Sequence, residues 1–567
     1  MRLALALIVL LIAAPAAEAR DATITSFDGT QIVLSFHPSP SGAKAPTILE
    51  GHGWGGSRET NPEATSDEGT GNVGVGALRK AGFNVLTWDS RGFGNSGGTV
   101  TVDAPEAEGR DVSALLDWLA QQPEAQLDKA GDPRVGMTGV SYAGGIELVS
   151  AAIDKRIDAI APIIAWHSLT TSLYKEETIK GGWSSLLYAA GVTGSKGRLD
   201  PHITSAFTSG VSTGTLSPED RAWFESRGPG DLVKQITVPT FLVEGTADTL
   251  FTLDEATTNY AILKANRVPT KMMWFCGGHG TCLTGSGPAG HIEAAVVAWL
   301  KRYVGQDATV DTGPTFEWLA DDAQWRSAND YPIAHGAPIT ATGSGTLASN
   351  PGDAASGTPI AAGRAANAVN VAITAPPAQI VGAPQLTLTY SGTGTATHVF
   401  AQIVDEARNV VVGNQVTPIP VTLDGQPHTI TRPLEAIAAV SSGSKYTLQV
   451  TGGSQVYGPV RGAAAITFSK IDVSLPRAGA GVGTHGASLL APTRTCLSRR
   501  RFSIRVRGSH PRVTVAGRRV KVKHGRAMID LRGKPKTTVT VRVTATRKGK
   551  TVRETRRYRT CTPKAKR

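Results

Sequence analysis

Gly139-Val140-Ser141-Tyr142-Ala143-Gly144 decides the fold of this chain. It follows the apolar run Val135-Gly136-Met137-Thr138 and precedes Ile146-Glu147-Leu148-Val149-Ser150-Ala151-Ala152, so a short strand, a glycine-punctuated serine and an alanine-rich helix succeed one another. That is the pattern of a nucleophile elbow, where small residues two before and two after the serine let strand and helix approach closely. Gly139 meets the need, and Ala143, where glycine is commoner, is a small departure. A G-x-S-x-A match in a glycine-rich chain carries little weight alone, and its surroundings must support it.

Outward from the elbow, strands alternate with helices. Upstream lie a hairpin around Asp28-Gly29, a buried strand over 46–50 running into Gly51-His52-Gly53-Trp54-Gly55-Gly56, a helix over 75–81 and a strand over 84–88. Downstream, apolar runs predict strands over 157–164, 239–245 and 270–275, closed by a helix over 291–304. This alternation requires a parallel α/β sheet. About seventy residues, roughly 167–238, interrupt it, far more than an ordinary connection. Carrying Trp183, Leu187, Tyr188 and Trp223, they read as a mainly helical cap that holds substrate selectivity.

Ser141, Asp248 and His279 fall just past the ends of three strands, in the Ser–Asp–His order of the α/β-hydrolase fold. A serine hydroxyl needs a base within hydrogen-bond reach, an imidazole has a suitable pKa, and a carboxylate fixes its tautomer. Ser141 is thus the expected nucleophile, His279 the base and acid, and Asp248 the orienting carboxylate. Asp254 is the rival acid, and His52 or His291 the rival base. The oxyanion needs donors as well: the backbone N–H of Tyr142, and a group of the His52-Gly53-Trp54 turn, either a backbone N–H or the indole of Trp54.

Composition divides the rest. Met1-Arg2, an apolar run over 3–14 and Ala17-Glu18-Ala19 have the parts of a secretory signal cleaved after Ala19, so an exported protein is expected. The following regions read as an α/β-hydrolase domain over 20–305, a β-sandwich or jelly roll over 306–476, a Gly/Ala-rich linker over 477–492 and a small all-β domain over 493–567. From residue 491 onward 26 Lys/Arg face only Asp530 and Glu554, a local +24; with +12 for the whole chain, everything before carries −12. Such a positive domain on an exported protein is expected to attract an anionic cell-envelope polymer, whereas the lack of interleaved aromatic residues speaks against nucleic acid. Cys276 with Cys282, and Cys496 with Cys561, are candidate disulfides; the spacing lacks the paired-ligand pattern of a zinc site, and no metal is expected.

The elbow, the run Asp89-Ser90-Arg91-Gly92-Phe93-Gly94-Asn95-Ser96, Asp117-Trp118-Leu119, and Pro162 followed by Ala165-Trp166 resemble the Xaa-Pro dipeptidyl-peptidase and cocaine esterase family. The similarity spans about residues 21–476, where Phe316-Glu317-Trp318 and Gln324-Trp325-Arg326 resemble the start of that family's C-terminal jelly-roll domain. It implies a serine hydrolase without a cofactor, cleaving small peptide substrates after proline or carboxylic esters. A galactose-binding-like role for the sandwich is implied too, although support of the catalytic domain is the simpler expectation. The family commonly supplies a tyrosine hydroxyl to the oxyanion hole, where this chain has Trp54. A dipeptidyl-peptidase needs an anchor for a free amine, for which Tyr174, Glu176 and Glu177 of the cap are candidates, with Trp183 and Tyr188 as further substrate contacts. The reading from a different class is a binding protein with a relic hydrolase domain; an intact Ser141, Asp248 and His279 argue against it.

Overall fold

The computed structural model describes residues 18–479, 482–485, 501–516, 518–532 and 538–559. Most of the expected leader, together with Cys496 and Cys561, lies outside the described residues. The chain divides into two compact units between Ser488 and Leu489.

The larger unit is built on one sheet. Five strands, Asn84–Trp88, Thr47–Glu50, Val135–Val140, Ile157–Ile163 and Thr240–Gly245, run parallel side by side and continue into Thr270–Phe275. The antiparallel hairpin of Arg20–Thr25 and Gln31–His37 adds to one edge. Nearly every residue of the inner strands is buried, as helices on both faces demand. Leu49, Leu86, Met137, Ile160, Leu242 and Met272 form the spine of this core. The chain carries an α/β-hydrolase fold.

Two boundaries differ from the sequence expectation. The sheet does not end near residue 305: Phe316–Leu319 joins it parallel to Thr270–Phe275, Trp325–Ala328 follows antiparallel, and Gly483–His485, from the presumed linker, pairs beyond that. The Phe316-Glu317-Trp318 motif therefore belongs to the hydrolase sheet and not to the sandwich. Its apolar alternation fits either place, and the partner strand decides between them.

The sandwich proper spans 339–475. One sheet orders Ile339–Ser349, Ala464–Leu475, Gln385–Gly394 and His428–Pro433; the facing one orders Ala368–Thr374, Lys445–Thr451 and His398–Asp405 with two short strands. Alternating residues such as Leu386, Leu388 and Tyr390 meet Val371, Ile373 and Leu448 between them. The cap is helical, as its long apolar insert predicts, with helices Leu169–Leu173, Gly181–Ser195, Pro201–Thr213 and Pro218–Glu225. Ser168, Asp200 and Ser217 cap three of them through side-chain acceptors.

In the smaller unit, two antiparallel sheets enclose Ile504, Val513, Val515, Ile529, Val541 and Val543. One orders Arg501–Arg505, Arg526–Asp530 and Val522–Lys523; the other Arg518–Val520, Ser509–Val515, Thr538–Arg547 and Lys550–Arg559.

Glu50 ends the Thr47–Glu50 strand inside the protein. Burial, reinforced by the neighbouring Glu59, pushes its carboxyl up to about 8. Because the folded value lies above the unfolded one, the unfolded chain gives up this proton first, and stability falls from about pH 4.5 to about pH 8. Glu50→Gln, which cannot ionise, removes that loss. Thermal unfolding is expected to show a Tm gain of roughly several degrees over the parent at pH 8 and almost none at pH 4; equal Tm differences at the two pH values would show that Glu50 is ionised in the fold.

Candidate active site

Ser141 sits at φ 59° and ψ −117°, a strained conformation for a residue with a side chain, between the Val135–Val140 strand and the Tyr142–Ile153 helix. The strain is held by packing too tight for extra atoms. A methyl at Gly139 would come within 2.5 Å of the Ala143 Cβ, and one at Gly51 within 2.9 Å of the same atom. Ala143 is thus tolerated because both of its neighbours lack a side chain. The Ser141 N–H donates to Ile163 O at 2.8 Å, tying the elbow to the next strand.

Three loops converge here. His279 Nε2 lies 2.8 Å from Ser141 Oγ, and Nδ1 lies 2.6 Å from Asp248 Oδ2. Asp248 is fully buried and accepts further bonds from the backbone N–H groups of His279, Leu250 and Phe251 at 2.8, 2.9 and 2.9 Å. The imidazole is packed edge-on between Phe251 and Trp183, with ring centroids 5.1 and 5.9 Å away. A disulfide between Cys276 and Cys282 closes the His279 loop, their Cα atoms 5.2 Å apart.

The rival residues are engaged elsewhere. His52 accepts from Ser90 N through Nε2 and donates to Gly53 O through Nδ1. His291 faces Glu317, and Asp254 faces Lys175.

The oxyanion turn requires a correction. The Trp54 indole does not face the serine; its Nε1–H donates to Leu187 O of the cap at 2.8 Å. The Gly181–Ser195 helix reaches this turn because Gly191 leaves room for the indole and Gly194 for the Gly55 backbone. Among the described residues no acceptor takes the backbone N–H of Trp54 or of Tyr142, and both remain available to an oxyanion. The Asp89–Ser96 run braces the turn from behind: Asp89 accepts from Arg58 and Asn95, and Phe93 packs edge-on to His52, Trp54 and Tyr142.

A cleft opens beside Ser141 beneath the cap, walled by Trp54, Trp166, Leu173, Leu187, Phe207 and Phe251 among others. Tyr174 and Tyr188 line it as well. Trp183 does not line it: its indole donates to Thr249 Oγ1 at 3.0 Å, and its ring supports His279. Glu176 and Glu177 also fall outside. Glu177 pairs with Arg221 on the surface, while Glu176 lies 3.9 Å from Arg432, and its carbonyl accepts from His398. Among the described residues no Asp, Glu, Lys or Arg lines the cleft.

Two supporting residues escaped the sequence reading. Lys180 is fully buried, and its ammonium donates to the carbonyls of Thr249 and Leu250 at 2.8 and 3.0 Å. Burial pulls it down to about 8, with Glu435 acting in the opposite sense. From the sandwich, Gln415 Nε2 donates to Asp248 O at 2.8 Å. Cap and sandwich thus hold the acid loop together. A lone charge preceding the Gly181-Gly182-Trp183 run was the only signal for Lys180; nothing marked Gln415.

Residues 28–281 match the model of the X-Pro dipeptidyl-peptidase (S15) family. The match covers most of the α/β-hydrolase domain, 254 of the 567 residues. A CocE/NonD family hydrolase from Staphylococcus aureus superimposes with a TM-score of 0.56 at 13% identity, covering 80% of this chain and 93% of its own. An alpha-amino acid ester hydrolase gives 0.59 at 14% identity, covering 81% and 96%. These likenesses show that an α/β-hydrolase domain and a β-sandwich recur together as a fold. An uncharacterized 31.7 kDa protein from Escherichia coli is 28% identical over 135 residues, 24% of this chain and 42% of its own length. The chain thus spans about two fifths of the curated relatives it matches.

Lys180→Met and Gln415→Leu leave the three site side chains in place and loosen only the acid loop. Each is expected to slow covalent labelling of Ser141 by a fluorophosphonate about tenfold, since misplacing a catalytic group by around an ångström costs that much or more. Labelling at the parental rate would show that the loop holds itself.

Proposed function

We propose that this chain is an exported serine hydrolase that cleaves carboxylic esters with apolar substituents through an acyl-Ser141 intermediate. The apolar, charge-free cleft carries the choice of bond: among the described residues its lining holds no carboxylate to balance the ammonium of a free N-terminal dipeptide, and the Tyr174 hydroxyl already accepts from Leu216 N. Asp103, next to the lining residue Val102, is fully buried, and burial and then Glu108 push its carboxyl well above the ordinary range. An uncharged acyl or alcohol group, in contrast, gains by leaving water for this cleft.

In the proposed sequence His279 Nε2 takes the proton from Ser141 Oγ as the oxygen attacks the ester carbonyl. The resulting oxyanion is met by the N–H groups of Tyr142 and Trp54, and Asp248 stabilises the imidazolium. On collapse the C–O bond to the alcohol breaks and His279 returns the proton to the leaving oxygen. Water, activated by the same imidazole, then releases the acid. Export is supported by the leader-like residues 1–19 and by the Cys276–Cys282 disulfide, which persists in an oxidising compartment.

The family's X-Pro peptidase description favours a second reading, cleavage after proline. Nitrophenyl butyrate, Ala-Pro anilide and its N-blocked counterpart separate the two. The ester is expected to turn over, with a drop of about a thousandfold or more in Ser141→Ala, and both anilides to be poor substrates. Preferential cleavage of the free-amine anilide would establish the dipeptidyl-peptidase reading instead. No Ser141-dependent turnover or labelling of oxidised protein would favour a relic domain.

A further inference from the structure

The strand register of the smaller unit sorts its charges by face. In the four-stranded sheet Arg519 stands opposite Thr514, Thr514 opposite Arg542, and Arg542 opposite Thr555. The adjacent row runs Arg512, Thr544, Arg553, and the next pairs Thr540 with Arg557. Directly opposed residues of an antiparallel sheet project to the same side. Arg512, Arg519, Arg542, Arg553 and Arg557 therefore share one face, interleaved with threonines.

These five arginines are exposed, and among the described residues none has a carboxylate partner. The opposite side holds Val513, Val541 and Val543 in the core, and the acidic Glu554 falls on that side, paired with Arg556. The outward face of the three-stranded sheet is mixed: Arg505 and Lys523 lie opposite Arg526, but Asp530 lies opposite Arg501 and Met528 opposite Ser503. Positive charge thus lies on both sheets of the unit, and on the four-stranded sheet it stands on a regular grid with no carboxylate partner among the described residues.

That grid has a definite spacing. Strands lie about 4.8 Å apart and alternate residues about 7 Å apart along each strand, so the Cα atoms of neighbouring arginines stand roughly 7–10 Å from one another. Each guanidinium offers a planar fork matched to a carboxylate, and the threonine hydroxyls between them can give and accept bonds with sugar hydroxyls. The aromatic residues Phe502 and Tyr558 pack on each other, 4.9 Å between centroids, and Tyr558 shares a side with the core residue Val539. Among the described residues the arginine face therefore carries neither of the unit's Phe and Tyr rings on which a base could stack.

We infer that the Arg512/Arg519/Arg542/Arg553/Arg557 face is a docking surface for an acidic polysaccharide carrying repeated carboxylates, which would hold the hydrolase on a glycan matrix.

The test uses the full oxidised chain and polygalacturonate as probe. One variant replaces Arg519, Arg542, Arg553 and Arg557 by Gln; a control replaces Arg505, Arg507, Lys523 and Arg526, which lie elsewhere in the same unit, removing the same charge. Fluorophosphonate labelling of Ser141 and thermal unfolding check that both variants are folded. At low salt the face variant is expected to bind at least about tenfold more weakly than the control, with a flatter dependence of affinity on salt. Equal losses in the two variants would reduce the effect to net charge and overturn the proposal, as would unchanged binding in the face variant. Tighter face-dependent binding to single-stranded DNA or to phosphatidylglycerol vesicles than to polygalacturonate would also overturn it, by assigning the face to another class of partner.

Discussion

The structure turns on a backbone conformation that Ser141 would not adopt by itself. A side-chain-bearing residue at φ 59° and ψ −117° is unfavourable, and only over-determined packing holds it there. Here that packing is the near-contact of Gly51, Gly139 and Ala143, where two missing side chains admit one methyl. The sharp turn has two consequences. It lifts the hydroxyl out of the sheet, and it points the first free N–H of the following helix to where an oxyanion would form. The Gly51–Gly56 turn, clamped to the same contact, supplies its own free N–H alongside.

What the elbow positions, other layers hold still. The acid loop is fastened by Lys180 and Trp183 of the cap and by Gln415 of the sandwich, and Thr249 Oγ1 donates to Ile360 O on the sandwich side. The cap is in turn seated on the oxyanion turn through the Trp54 indole and the small residues Gly191 and Gly194. The cap is thereby attached at both ends of the site. The sandwich is accordingly built into the α/β-hydrolase domain, joined to it by buried hydrogen bonds as well as by chain.

Legibility in the sequence followed the range of the interaction. Apolar periodicity and glycine placement around Ser141 are local, and they pointed to the sheet, the elbow, the strand-end positions of Asp248 and His279, and the helical cap. Features that depend on a distant partner were hidden. The Trp54 indole finds its acceptor 133 residues away, and Gln415 reaches Asp248 across 167. Glu176 and Glu177 belong to the cap by sequence, yet they turn to Arg432 and Arg221 because a charged side chain is cheaper to pair at the surface than to bury in an apolar cleft. The strand at Phe316–Leu319 alternates like a sandwich strand and Gly483–His485 reads as linker, and only their partners place them in the hydrolase sheet.

The buried carboxyls give an independent reason to set Asp248 apart. Glu147 has one oxygen without a partner and the other accepting a single bond of 3.2 Å from Ala161 N, and both oxygens of Asp103 lack partners. Burial drives both groups toward the neutral acid. Asp248, no less buried, accepts three backbone N–H bonds besides the imidazole. An ionised carboxylate is an acceptor only, and inside a protein it must be supplied with donors. Of these three carboxyls, Asp248 alone has such a set, and the donors come from its own loop and from the His279 loop, so the group that would steady an imidazolium is built by the segments that bring the imidazole to Ser141.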